Sequence, residues 1–182
     1  MEDALRTRTE QVFADYLEFC AREPHTPGLR PRNREAAALR TAAEELRRTY
    51  RGYFARYQNY NGNCAELLDT LMDALLPEGV NPTWLRMVTC AALAGTLLQH
   101  PGRRQPEEVT RDCERLVGRL TTRFARRHRA WLESRGGWEG FCLSLQGPLP
   151  LSYWKARLFQ TFMSCILATV LIYLWTRVYR YL

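Results

Sequence analysis

The chain has 182 residues, 46% of them hydrophobic and 12% aromatic, with a formal net charge of +7. This length fits one folded domain plus a short extra segment, and the apolar fraction suffices for a buried core. The arginines are spread over several amphipathic stretches and form no basic, aromatic-rich stripe, which argues against nucleic-acid binding. The sequence contains no glycine-rich phosphate loop, no nucleophile with a recognisably spaced base and no metal-binding histidine spacing. It therefore predicts neither an enzyme nor a cofactor or metal site.

The first half of the chain predicts three amphipathic helices. Apolar residues recur at helical spacing over 5–22, and Pro24 ends this helix. The proline-rich stretch 23–34 predicts a loop. The second helix runs from 35 past 57, and the third covers 64–76. Apolar side chains of these two helices recur at steps of about four residues: Leu46, Tyr50, Phe54, Tyr57, Leu71 and Leu75.

A helix that is apolar on almost every side is predicted over 84–98. Asn81 followed by Pro82 is typical of a helix start, with the asparagine as N-cap and the proline at the first helical position. Arg86 is the only charged residue of this helix. Because a helix that is apolar all round must be covered by its neighbours, we expect 84–98 at the centre of the fold.

The next predicted helix, 107–133, keeps a 3.6-residue period until Gly136 and Gly137 end it. Short helices are predicted over 138–145 and 151–156. No alternating strand pattern occurs. The fold class is therefore all-α, a globular helix bundle around a central apolar hairpin made of 84–98 and 107–133.

The six cysteines never form a CxxC pair and mostly occupy positions where the helical pattern requires an apolar residue. They are interpreted as reduced core thiols. The acidic N-terminus does not resemble a signal peptide. Both features are typical of a cytosolic domain.

A charge-free run of 19 residues, 158–176, follows near the C-terminus. As a helix it would be about 28 Å long, close to the thickness of a bilayer's hydrocarbon core. Basic residues flank it on both sides, and tyrosines and tryptophans lie at both ends, as at membrane interfaces. The pattern predicts one transmembrane helix within a tail anchor, 155–182, behind a cytosolic domain, 1–154.

Several short motifs resemble those of the Bcl-2 family. Residues 82–88 with 94–97 are similar to the BH1 motif, and Trp131–Leu132 with Gly136–Phe141 is similar to BH2, the more specific match. Leu39 with 43–46 resembles BH3, and 12–20 resembles BH4. Together with the tail, the resemblance covers nearly the whole chain, and the amino-acid sequence is most similar to a divergent branch of the family.

This resemblance implies an eight-helix fold with a surface groove that accepts the BH3 helix of a partner. In the family, the arginine that matches Arg86 pairs with the aspartate of BH3. The implied groove residues are Arg86, Trp84, Leu46, Tyr50, Phe54, Tyr57, Leu71 and Leu75, with Val88 and Leu93 beneath them. The BH2 residues Gly136, Gly137 and Trp138 are interpreted as structural. Periodicity alone favours ordinary core packing for the apolar stripe, and the resemblance reverses this only for Arg86 and Trp84.

The implied function is regulation of apoptosis at the mitochondrial outer membrane, the endoplasmic reticulum membrane or both. Expected partners are BH3-containing relatives, both Bax/Bak-like and BH3-only, with homo- or hetero-dimers as a further expectation. A survival-type regulator is favoured. Two alternatives remain open: a pro-apoptotic member whose hairpin permeabilises membranes, and a tail-anchored adaptor for a client outside the family.

Overall fold

The computed structural model describes residues 2–22, 30–58, 60–99 and 105–146. Within these ranges all regular secondary structure is helical, as the sequence predicts. The helices are α1 (Glu2–Ala21), α2 (Arg34–Thr49), α3 (Arg51–Phe54), α4 (Cys64–Leu75), α5 (Trp84–Leu98), α6 (Pro106–Thr121), a π-helical segment (Thr122–Arg127), α7 (Arg129–Ser134) and α8 (Gly137–Gln146). The predicted helix at 151–156 lies outside the described residues.

Helix α5 is the centre of the bundle. Every residue from Met87 to Leu98 is buried, and α1, α2, α4 and α6 pack around it. Gly95 permits the close approach of α1, because an added Cβ would lie 2.8 Å from the Tyr16 hydroxyl and 2.7 Å from the Cys20 sulfur. The predicted enclosure is confirmed for 87–98, whereas Trp84, Leu85 and Arg86 are half-buried. The other arm of the predicted hairpin, α6, keeps an exposed polar face.

The start of α5 differs from the prediction. Thr83 is the N-cap, and its side-chain oxygen accepts a hydrogen bond from the backbone N–H of Arg86 at 3.3 Å. Asn81, predicted as the cap, instead offers its carbonyl oxygen to Nη1 of Arg86 at 3.3 Å. Threonine is itself a good N-cap residue. Pro82 lies before this cap, outside the helix, where its missing N–H removes no helical hydrogen bond.

The second predicted helix is wrong beyond residue 49. Tyr50 leaves the helical region, with φ −113° and ψ 37°, while its N–H still bonds to the Leu46 carbonyl. The short α3 follows and ends at Phe54. Thr49, which is β-branched, and Gly52 flank the break. Both have low helix propensity, so the local sequence does not oppose an interruption of the helix.

The predicted helix 107–133 is divided into α6, the π-helical segment and α7. The His128 N–H bonds to the Arg123 carbonyl, five residues earlier, at 3.1 Å. Within this wider turn the side chain of Arg123 is only 8% exposed and pairs with Asp73 of α4. Burial lowers the pKa of His128, and the charges of Arg123 and Arg127 lower it further. One wide turn shifts the 3.6-residue apolar pattern only slightly, so periodicity could not predict the π-helical segment.

Five of the six cysteines lie in the described ranges, and all five are buried and outside any disulfide: Cys20, Cys64, Cys90, Cys113 and Cys142. Burial raises the pKa of the Cys113 thiol to about 11 and also raises the pKa of Cys20 and Cys142. These three thiols therefore stay protonated near neutral pH. The prediction of reduced core thiols is confirmed for the five described cysteines.

Among the helices of the described ranges, none is long and apolar enough to cross a membrane. The predicted transmembrane helix, 158–176, lies outside those ranges. The tail anchor 155–182 and the domain boundary after 154 stay predictions.

Candidate functional site

Half-buried side chains of the helices around α5 define a candidate trough. Helices α2 and α4 both pack against α5, and α3 and α4 do not pack closely against each other. The half-buried side chains of these elements and of the first turn of α5 define the trough: Tyr50, Tyr53, Tyr57, Leu67, Leu71, Trp84, Leu85 and Arg86. Half-buried apolar side chains in a row between helices are typical of surfaces that accept an amphipathic helix.

Ion pairs to α6 and the π-helical segment, on the side away from the trough, orient helix α4. Asp69 pairs with Arg119 at 3.0 Å, and Asp73 pairs with Arg123. Leu71 is two positions from each of these aspartates, which places it about 200° around the helix. The acidic face of α4 therefore lies against α6, and the face that carries Leu71 is left for the trough.

The predicted groove residues fall into two sets. Five are buried: Leu46, Phe54, Leu75, Val88 and Leu93. Five are half-buried: Tyr50, Tyr57, Leu71, Trp84 and Arg86. The buried set supports the trough from beneath, with Leu93 fully enclosed. In this conformation a partner would contact only the second set, together with the half-buried Tyr53, Leu67 and Leu85, which sequence reasoning had not assigned to the site. Their role in binding stays a prediction.

Arg86 lies at the α5 end of the trough. Its guanidinium donates one hydrogen bond, from Nη1 to the Asn81 carbonyl. No carboxylate in the described part of the chain forms an ion pair with it. Since a guanidinium carries five N–H donors, most of its hydrogen-bonding capacity is available to an external acceptor such as a carboxylate.

Trp84 joins the BH1-like motif to the BH2-like motif. Its ring lies 4.7 Å from that of Trp131 and 5.3 Å from that of Phe141. Trp138 continues this cluster, with its ring 5.6 Å from Phe141. Trp138 is buried, and its Nε1 donates to the Thr9 hydroxyl at 2.9 Å. The aromatic cluster therefore ties the start of α5 to α7, α8 and α1.

The glycines of the BH2-like motif make the turn into α8. Gly136 and Gly137 have φ of +77° and +59°, a region that other residues adopt only at a cost. Gly140 packs against the carbonyl oxygen of Arg135, and a Cβ added at Gly140 would lie only 1.7 Å from that oxygen. This tight turn brings Trp138 and Phe141 back onto the bundle.

A buried ion pair holds the BH3-like helix α2 against α1. Asp15 accepts from Nε of Arg40 at 2.8 Å and from the Arg32 N–H at 3.1 Å. The side chains of Asp15 and Arg40 are only 2% and 8% exposed. Arg8 and Glu35 form a second link between α1 and α2. Sequence reasoning missed this connection, although Asp15 does interrupt the apolar face of α1.

The geometry is that of an all-helical bundle with a central buried helix, a lateral trough and a glycine-dependent aromatic cluster. Residues 39–138 match the family described as apoptosis regulator proteins, Bcl-2 family. The chain is 46% identical to human Bcl-2-like protein 10, over 97% of this chain and 94% of that protein. The chain belongs to the Bcl-2 family of apoptosis regulators. The predicted relation to the divergent branch of Bcl-2-like protein 10 is also confirmed.

Two solved structures have the same fold. The solution structure of a divergent Bcl-2 protein is 37% identical, with a TM-score of 0.69 over 80% of this chain and 92% of that chain. The zebrafish pro-survival protein NRZ in complex with the Bad BH3 segment is 26% identical, with a TM-score of 0.67 over 80% and 97%. The all-helical Bcl-2 fold is thus confirmed.

Proposed function

We propose that this protein is a survival-type regulator that binds the BH3 helices of Bax/Bak-like and BH3-only relatives in the trough. The observation that carries the proposal is Arg86, a half-buried guanidinium without a carboxylate partner in the described chain, at the end of an apolar trough. An amphipathic helix with an aspartate beside its apolar face matches this arrangement. The similarity to NRZ, a pro-survival protein solved with a BH3 segment, supports it.

The attachment of α2 favours accepting a BH3 helix over donating one. Leu39, Ala43 and Leu46, the apolar residues of the BH3-like motif, are buried. Releasing α2 would expose them and would also break the buried pair of Asp15 and Arg40. Because transferring these buried apolar side chains to water is unfavourable, we expect α2 to remain in the bundle.

The Arg86→Glu variant tests the trough. The full-length chain in mild detergent is titrated with labelled BH3 peptides from Bax/Bak-like and BH3-only relatives. We expect submicromolar binding by the unchanged chain and a loss of about 2–5 kcal/mol in the variant, which is at least roughly a 30-fold rise in Kd. Arg111→Glu is the matched control, because Arg111 is exposed on α6. Binding that Arg86→Glu leaves intact, or no binding by the unchanged chain, would contradict the proposal.

We further propose that the segment 158–176 anchors the protein in the mitochondrial outer membrane, the endoplasmic reticulum membrane or both. Its length and apolar character support this location. Fractionation of cells that express the full chain or the chain truncated after residue 154 tests it. The full chain is expected in the alkali-resistant membrane fraction and the truncated chain in the soluble fraction. Equal distribution of both would rule out the anchor.

A further inference from the structure

Two arginines of the α3 region lie exposed beside the tyrosines of the trough. Arg51 begins α3, and Arg56 follows it in the next turn. Neither forms an ion pair with any residue of the described ranges. The surface around them is open, since a Cβ added at Gly52 would have no atom within 4 Å. Two charged side chains therefore border the trough without an ion-pair partner among the described residues.

The carboxylates of α2 are directed elsewhere. Glu45 pairs with Arg48 at 2.7 Å. Burial raises the pKa of the Cys20 thiol, and the charge of Glu44 raises it further, which places Glu44 on the α1 side. The wall of the trough made by α2 and α3 is consequently positive, with nothing from α2 to neutralise it.

The opposite wall adds no negative charge. Asp69 and Asp73 of α4 pair with arginines of α6 and the π-helical segment, and Glu78 pairs with Arg127 at 2.9 Å. Glu66 lies three positions before Asp69, about 60° from it around the helix and so on the same side of α4. Within the described chain, the trough thus offers unpaired arginines at two places, Arg86 at the start of α5 and the α3 pair on the wall.

We propose that the trough selects a helix with acidic residues at two places, and that Arg51 and Arg56 steer its approach. This inference rests on the proposed function and defines the partner for the same trough. One carboxylate of the partner meets Arg86, and a second acidic group lies over α3. Exposed charges at the rim of an interface act mainly on the association rate, which salt reduces, whereas half-buried charges act mainly on dissociation.

Association kinetics of the full-length chain test the proposal. Stopped-flow rates are measured with the tightest-binding BH3 peptide of the panel at several salt concentrations. The double variant Arg51→Glu with Arg56→Glu is expected to lower the association rate constant about 10- to 100-fold at low salt and to flatten its salt dependence. The dissociation rate is expected to stay within about threefold.

The matched control is Arg111→Glu with Arg126→Glu. These arginines are also exposed and carry no ion pair in the described chain, but they lie on α6 and the π-helical segment. The control changes the net charge by the same amount and is expected to alter the association rate less than about threefold. If both double variants lowered the association rate constant equally, the rate would depend on net charge alone, and the proposal would be overturned.

The kinetic result separates this inference from the proposed function. If the unchanged chain binds a peptide and Arg86→Glu abolishes binding, the trough is established. A double variant at Arg51 and Arg56 that then matches the control refutes only the steering role. If the unchanged chain binds no peptide even at low salt, both proposals fail. Circular dichroism of each variant is expected to show the helical content of the unchanged chain.

Discussion

Replacing Asp15 with asparagine is expected to lower the free energy of unfolding by about 3–5 kcal/mol. The variant keeps the shape of the side chain but leaves the guanidinium of Arg40 charged and buried without its partner. The Arg40 guanidinium also lies 4.5 Å above the Phe19 ring, which cannot replace a carboxylate. Urea unfolding of the full-length chain in mild detergent, followed by tryptophan fluorescence, measures the loss.

The control for Asp15→Asn is Glu18→Gln on the same helix. Glu18 also pairs with an arginine, Arg32, at 2.8 Å, but both side chains are 40% or more exposed. Because solvent screens such a pair, the control is expected to cost about 0–1 kcal/mol. Equal losses in the two variants would show that burial does not set the strength of the α1–α2 connection. The double variant Asp15→Leu with Arg40→Met is expected to recover part of the loss, since it leaves no unpaired buried charge.

Periodicity predicted the helices that have one clean apolar face or no polar face. The bounds of α4 and α5 match the prediction within one residue, and those of α1 within three. The failures have local causes that an average period does not register. The break at Tyr50 depends on a single pair of backbone angles, and the π-helical turn adds one residue to one turn.

The candidate site was predictable only where a motif or an exception to a pattern revealed it. Arg86 is the sole charge in an otherwise apolar helix, and that contrast is visible in the amino-acid sequence alone. The connections that position the walls join distant residues: Asp15 and Arg40 are 25 positions apart, and Asp73 and Arg123 are 50 apart. Spacing along one helix carries no information on such pairs, so the orientation of α4 and the attachment of α2 could not be predicted from it.

Replacing Gly140 with alanine is expected to be as damaging as the loss of the buried carboxylate. The new Cβ would lie 1.7 Å from the carbonyl oxygen of Arg135 and 2.8 Å from its carbon, atoms of the backbone that cannot rotate away. The turn at Gly136 and Gly137 would have to open to relieve this overlap. We expect a loss of about 3 kcal/mol or more in the free energy of unfolding, at the upper end for overpacking. Urea unfolding of the full-length chain measures it.

Gly118→Ala supplies the opposite expectation in the same protein. Gly118 lies on the exposed face of α6, and an added Cβ would have no atom within 4 Å. Alanine there is expected to stabilise the chain by about 0.5–1 kcal/mol, because glycine is the poorer helix former. If Gly140→Ala also stabilised the chain, the close approach of α8 to Arg135 would be wrong. The packing of Trp138 and Phe141 against Trp84 would then need another explanation, because that approach is what brings the BH2-like motif onto the start of α5 beside Arg86.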